Sequence, residues 1–471
     1  MIRIKVLIIP VLLLIASCDN RQVVKNDTPE YISDLDDLKI KGKIVAVTDF
    51  NSTNYFIYHG TPMGFHYELL KSFSSYIGVD IEVIPCNDIN ESIELLNKGE
   101  ADILATSLAV NNGWDTQVRL TSPVSISRQV LIQRKPNRWN SMSYEEIENS
   151  LIRNPALLAG KTIYVQTGSN ASKEIQKLSE TLGSRIEIIE VPFETEKIIS
   201  LVARREIDYA VCDENIALVN SKYYPIVDVS TALNIPSNLA WGVRKNGSEK
   251  LLTALNEWLA LIKENRLYSI LYSKYFMNRE LVRIFKSDFY TLNTGKISPW
   301  DQYIKIYSDS LKWDWRLLAS LIYQESRFRH DAISLAGAYG LMQVLPSTGE
   351  IFGIDITSSP VNNIKGGVLY LKYLQKFFEN RIPDENERLK FILAAYNAGE
   401  GNILDAMRLA EKYGRDPLLW DNNVEYFLLK KSDPQFYNDP VVQFGYCRGS
   451  EPVAFVSEIL ERYSEYCYFL P

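Results

Sequence analysis

The sequence predicts a multidomain protein, with a two-lobed α/β domain followed by an α-rich domain. Three observations lead there. The chain has 471 residues, more than one hydrophobic core usually organises. From Lys43 to Arg244, short strand-like runs alternate with amphipathic helical runs, the pattern of βαβ units and mostly parallel sheets. From Trp300 onward, apolar residues recur almost wholly at helical spacing. Apolar content of 46% with 23% charged residues is that of an ordinary globular chain, so no fibrous or disordered class is needed.

Residues 1–17 read as an export signal. Arg3 and Lys5 give a positive start, and Val6 to Ala16 is an apolar run too short to span a bilayer permanently. Ile15-Ala-Ser-Cys18 places small residues before a cysteine, which resembles a bacterial lipobox. That resemblance implies lipid attachment at Cys18; the other reading is an ordinary cleaved signal with an incidental cysteine. Acyl chains there would hold the protein at a membrane surface of the bacterial envelope, facing the periplasm. The outer membrane is preferred to the inner, although Asp19 is the residue that favours inner-membrane retention in some bacteria. Residues 18–38, polar and without periodicity, are expected to be a tether.

Residues 39–276 form the expected α/β domain. Strand runs are Ile44 to Val47, Asp80 to Pro85, Ala101 to Ala105, Lys161 to Val165, Arg185 to Val191, Tyr209 to Cys212 and Ala240 to Arg244. Helical runs between them cover Tyr67 to Ile77, Ser92 to Asn97, Ala171 to Leu182 and Glu196 to Arg204. Two such lobes joined by crossing segments would bind a ligand in the cleft between them. Leu251, Leu252, Leu255, Trp258, Leu259 and Ile262 give residues 249–276 a helical period. Residues 277–297 are expected to be a linker, and 298–471 the α-rich domain, with helices over 302–312, 314–328, 361–380, 386–397 and 401–413.

A net charge of −7 gives no footprint for nucleic acid. The three histidines, His59, His66 and His330, lack zinc spacing, and no Cys-x-x-Cys occurs, so no metal is expected. No phosphate loop or Gly-x-Ser-x-Gly elbow is present, and no cofactor is called for. Beyond Cys18, the cysteines Cys86, Cys212, Cys447 and Cys467 are open to disulfide pairing in an exported protein, or to burial as free thiols.

The residue that points most directly to chemistry is Glu325. It follows Leu321 by four residues and Leu318 by seven, so it falls on or beside the apolar face of its helix. A carboxyl there loses hydration, its pKa rises, and it can serve as a general acid near neutral pH. The alternative is a helix-end glutamate that snorkels to water. Further motifs follow in order: Ser334-Leu-Ala-Gly-Ala-Tyr-Gly-Leu-Met-Gln343, Ala394-Ala-Tyr-Asn-Ala-Gly-Glu-Gly401, and Gly445-Tyr-Cys-Arg-Gly-Ser-Glu451. With Glu325-Ser326, they resemble the soluble-lytic-transglycosylase domain, a lysozyme-like fold, over roughly residues 298–467. The resemblance implies that Glu325 is the sole catalytic residue. It implies too that Ser334, Met342, Gln343, Tyr396, Asn397, Tyr446 and Glu451 bind the glycan, with Met342 packing against the sugar.

The first domain resembles the family-3 extracellular solute-binding proteins, a periplasmic-binding-protein-like fold. The match rests on Gly64-Phe-His-Tyr-Glu-Leu-Leu70, Lys98-Gly-Glu-Ala-Asp-Ile103 and Gly160-Lys-Thr-Ile-Tyr-Val-Gln-Thr-Gly-Ser169, within about residues 40–275. Asp213 falls where that family contacts a ligand's amino group; its plainer reading is a strand-end surface carboxylate. The arginine with which the family clamps a solute carboxylate is missing from Leu108 to Asp115, and Arg119 and Arg128 are out of register. An ordinary free amino acid is therefore an unexpected ligand.

Together the two halves resemble the membrane-bound lytic murein transglycosylases of the F type. That implies cleavage of MurNAc-β-1,4-GlcNAc bonds in peptidoglycan with 1,6-anhydromuramoyl ends, modulated by a muropeptide or amino acid in the first domain. The rival readings are an inert sensory lipoprotein and a water-using muramidase.

Overall fold

In the computed structural model, which describes residues 34–110, 113–278 and 281–470, two sheets build the first domain. The first runs in the order Asp80–Pro85, Lys43–Thr48, Ile103–Ala109, Ser237–Arg244, Val118–Leu120, with Ser125–Ser127 also paired to Ser237–Arg244. Its first three strands are parallel, and Ser237–Arg244 lies antiparallel to Ile103–Ala109. The second sheet runs Glu187–Val191, Thr162–Gln166, Ala210–Asp213, Gln129–Arg134, Val227–Ala232. Its centre is covered on both faces, which is why Val130, Leu131 and Ile132 are consecutive apolar residues with no exposure. The chain crosses between sheets after Ser127 and returns after Ala232, so the two-lobed α/β expectation holds.

The strands Val118–Leu120, Ser125–Ser127, Gln129–Arg134 and Val227–Ala232, and the hairpin Phe56–Tyr58 with Thr61–Met63, lie outside the strand runs read from sequence. The tether ends earlier than expected. Leu35–Lys41 is a helix that buries Leu35 and Leu38, and its cap Asp34 accepts from the Lys250 and Leu251 amides at 3.1 and 3.0 Å. The expected linker is packed, with Leu281, Phe285, Tyr290 and Ile297 buried. Cys86, Cys212, Cys447 and Cys467 are free thiols. The export signal and Cys18 lie outside the described residues.

From Asp301 the chain is helical: Asp301–Asp309, Trp315–Ser326, Pro360–Glu379, Glu385–Ala398, Glu400–Lys412 and the closing helix Ser450–Phe469 are its main elements. Trp315–Ser326 starts on an Asp314 cap bonded to the Arg316 amide and buries Leu317, Leu318, Leu321 and Ile322. Against it packs the closing helix, with the Ser320 hydroxyl donating to the Ile459 carbonyl at 2.8 Å.

One apolar core runs without a break from the first domain's parallel sheet into these helices. The hairpin is the seam. Its Gly60 carbonyl accepts from the Tyr466 hydroxyl at 2.9 Å, and Thr61 shares a 2.6 Å hydrogen bond with the Tyr323 hydroxyl. Gly60 has φ of 71°, and a Cβ there would lie 2.6 Å from Tyr466, 2.7 Å from Tyr323 and 2.8 Å from Phe328. Gly60→Ala is therefore expected to destabilise the junction by roughly 1–3 kcal/mol through overpacking and left-handed strain. An unchanged thermal midpoint in calorimetry would show that the seam is loose.

Candidate active site

Glu325 occupies the last turn of Trp315–Ser326, and the helix stops abruptly just beyond it. Arg327 and Phe328 both take left-handed backbone angles, φ 53° and 61°, which end the helical ladder. Ser326 is buried and donates to the Leu341 carbonyl at 2.7 Å, tying the helix end to the glycine-rich loop. Glu325 itself is half-buried. Burial pushes its carboxyl up from the ordinary 4.5 to about 8, and burial is the whole cause. Asp331, the nearest carboxylate in sequence, is exposed. A carboxyl raised in this way keeps its proton near neutral pH, the property a general acid needs.

The loop from Ala332 to Val344 is held by short backbone bridges, Ile333 to Tyr339 and Tyr339 to Val344. Gly340 has φ of 76°, and a Cβ there would sit 2.5 Å from the Asn363 amide nitrogen, so only glycine fits. Asn363 is fully buried. Its Nδ2 donates to the Tyr339 carbonyl at 2.8 Å, and its Oδ1 accepts the Met342 amide at 2.9 Å. Sequence reasoning passed over Asn363, because an Asn in the first turn of a helix ordinarily signals capping. Gln343, at φ 45°, donates to the carbonyls of Ala332 and Gly340 at 3.1 and 2.9 Å. Left-handed backbone at three non-glycine positions around one carboxyl is the kind of strain that functional sites retain.

Met342 departs from its expected place. Its side chain has no exposure and fills the space beside Gly367, where a Cβ would lie 2.4 Å from the sulfur. What it offers the site is its backbone carbonyl, which accepts from the Tyr396 hydroxyl at 2.8 Å. Tyr396 lies within reach of the Glu325 charge: burial first, then that carboxylate, raises its phenol well above the usual range. The Tyr370 ring lies tilted beside it, 5.4 Å between centroids, and Asn397 follows on the exposed side. Ser334 is half-buried and its hydroxyl accepts the Ala338 amide at 3.0 Å, shaping the loop from within.

Tyr446 is exposed, with its ring edge-on to Tyr437 at 5.8 Å. Glu451 pairs on the surface with Arg448 at 2.9 Å, and among the described residues no bond joins it to Glu325. The segment carrying Tyr446 is anchored from below. Asp405 and Lys431, both without side-chain exposure, pair at 2.7 Å, and Asp405 also accepts the Gln443 and Phe444 amides at 2.8 Å each. Burial alone would raise the Asp405 pKa; those amides and Lys431 outweigh it and hold the carboxyl below the ordinary range.

A concavity lies between the two lobes of the first domain. Asp213 lines it, accepting from the Ser127 hydroxyl at 2.7 Å and the Asn215 amide at 3.0 Å. Burial, with Asp49 as a neighbouring charge, pushes its carboxyl up to about 6. It is a cleft residue, not a surface carboxylate. The lobes are bridged around it: the Ser52 amide donates to Glu196 at 2.6 Å, and Asn170 donates to the Ser107 carbonyl at 2.9 Å.

No helix among the described residues is long and apolar enough to cross a membrane. The family-3 bacterial extracellular solute-binding proteins match residues 43–278, and the transglycosylase SLT domain matches residues 302–418. A membrane-bound lytic murein transglycosylase F from Desulfosudis oleivorans is 33% identical over 427 residues, 90% of this chain and 89% of the relative. A protein of the same name from Pseudomonas fluorescens is 28% identical over 92% of this chain and 86% of its own length. Among solved structures, an ancestral arginine-binding protein bound to arginine aligns with TM-score 0.42 and 22% identity, over 50% of this chain and 98% of its own. With both domain types matched in order and near-complete coverage at 33% identity, the chain belongs to the membrane-bound lytic murein transglycosylase F family.

Proposed function

We propose that the protein is a peptidoglycan lytic transglycosylase in which Glu325 acts first as acid and then as base. The observation that carries this reading is a single carboxyl pushed to about 8 by burial, beside the half-buried Tyr396. Hydrolases that use two carboxylates have a second one in reach. One suffices when the substrate supplies the nucleophile. Protonated Glu325 gives its proton to O4 of the departing GlcNAc as the C1–O4 bond breaks. The carboxylate then takes the proton of the MurNAc 6-hydroxyl while that oxygen bonds to C1. No water is consumed, and the proton given to O4 is replaced by the one taken from the 6-hydroxyl. The intramolecular attack carries the high effective molarity of a preplaced nucleophile.

In this reading Tyr396 is held by the Met342 carbonyl where it faces the reacting sugar, and Asn397, Gln343 and Ser334 contact the glycan. Tyr446 and Glu451 would contact the glycan further from Glu325. Cys18 would carry the lipid that places the enzyme at an envelope membrane facing the periplasm, with the outer membrane preferred. The first domain would hold a small ligand through Asp213.

Mass spectrometry of glycan products tests the chemistry. Products ending in 1,6-anhydromuramic acid are expected. Reducing MurNAc ends would mean that water is the nucleophile, and no cleavage by the full chain would mean that the fold is inert.

A further inference from the structure

The cleft of the first domain presents two carboxylates and no cation. Asp49 stands in the first lobe and Asp213 in the second, close enough for the Asp49 charge to act on Asp213. Among the described residues that line the cleft, none is lysine or arginine. The two arginines nearest in sequence are spent elsewhere: Arg119 pairs with Glu249 at 2.6 Å and Arg128 with Glu214 at 2.7 Å. The stretch Leu108 to Asp115 contains no basic residue at all.

The lining also holds polar atoms that the protein leaves without partners. Thr106 is 5% exposed, lines the cleft, and its hydroxyl has no hydrogen-bond partner. The side-chain oxygen Oδ1 of Asn170 and Asp49 Oδ1 are buried and likewise unpartnered. Asp49 Oδ2 is engaged, accepting from Asn54 at 2.7 Å. His66 does not satisfy Oδ1. Its Nδ1 lies 2.8 Å from the Ala105 carbonyl, which can only accept, so the Nδ1 proton goes there and Asp49 Oδ1 is left at 3.6 Å. A buried carboxylate oxygen, a buried hydroxyl and a buried amide oxygen without partners are costly unless a ligand completes them. Two of the three can only accept, and a hydroxyl can do either. The missing partner is therefore rich in N–H donors and positively charged.

We propose that this cleft selects a ligand by a primary ammonium group held between Asp49 and Asp213, and that it is blind to, or repelled by, a free α-carboxylate. This deepens the reading of the cleft as a ligand site and rests on it. A carboxylate brought between Asp49 and Asp213 would meet like charge without an arginine to clamp it. The ammonium could belong to a free diamine or to the amino end of a molecule whose carboxyl is amidated. The recognition chemistry is the same for both.

Isothermal titration of the full chain at pH 7.5 separates the cases, using putrescine, L-alaninamide and L-alanine as probes. Heat is read without glycan, so the outcome is independent of cleavage at Glu325. Binding of putrescine points to a free diamine, and binding of L-alaninamide alone points to a blocked amino end; either supports the proposal. L-Alanine is expected to bind at least tenfold more weakly than the better amine. Asp213→Asn is expected to weaken that amine at least tenfold and Thr106→Val about threefold, with Asp49→Asn replacing Asp213→Asn should that variant fail to fold. Binding of L-alanine as tight as L-alaninamide, heat from neither amine, or unchanged amine affinity in the aspartate variant would each overturn it.

Discussion

Glu325→Gln is expected to lower the glycan-cleavage rate by roughly 10³-fold or more, the upper part of the range for losing a general acid–base group. The same substitution is expected to make the folded protein more stable at neutral pH. The sign follows from the shift. A carboxyl whose folded value is about 8 against an ordinary 4.5 binds its proton more tightly when folded. Its effect on stability is neutral below about 4.5 and grows more unfavourable up to about 8. At pH 7 the difference is on the order of 3 kcal/mol, which glutamine removes. Thermal midpoints of the two proteins should therefore coincide near pH 4 and separate toward pH 8, with the variant higher. An inactive variant that melts lower at every pH would point to lost packing in place of lost chemistry.

Asp405→Asn is expected to cost about 3–5 kcal/mol, because it leaves the Lys431 ammonium buried without its counter-ion. Lys431 would retain only the Asn402 side-chain oxygen at 2.7 Å. The change also weakens the acceptor for the Gln443 and Phe444 amides, three and two residues before Tyr446. Two readouts should move together: a lower unfolding midpoint for the helical domain, and a raised KM for glycan with a smaller change in kcat. Because the Asp405 carboxyl sits below its ordinary range, its stabilisation is complete above about pH 4 and is lost as the pH falls through its folded value. A variant with native stability would show that the pair contributes nothing net.

The helix Trp315–Ser326 was legible in sequence because its signal is local. Leu317, Leu318, Leu321 and Ile322 set a face, and Glu325 falls beside it. Parallel strands of the first domain were legible for the same reason, as short apolar runs between helices. The strand Gln129–Arg134 was not, although Val130, Leu131 and Ile132 are buried. It pairs antiparallel with Ala210–Asp213, partners that lie 78 to 84 positions away in sequence. The hairpin at Phe56–Met63 makes sense only beside Tyr323 and Tyr466, which belong to the other domain. Met342 shows the limit of motif reading: its side chain faces Gly367 and its carbonyl faces Tyr396. Asn363 and the Asp405–Lys431 pair carry no local signature, because their partners are set by tertiary packing alone.

The proposed chemistry needs a Glu325 carboxyl that stays protonated where most would ionise. Carbon-detected NMR of the Glu325 side chain, labelled at Cδ and titrated from pH 4 to pH 10, measures that property directly. A transition near pH 8, absent from Glu325→Gln, is the result the structure predicts. A transition near 4.5 would mean that the group meets its substrate already ionised, with no proton to give.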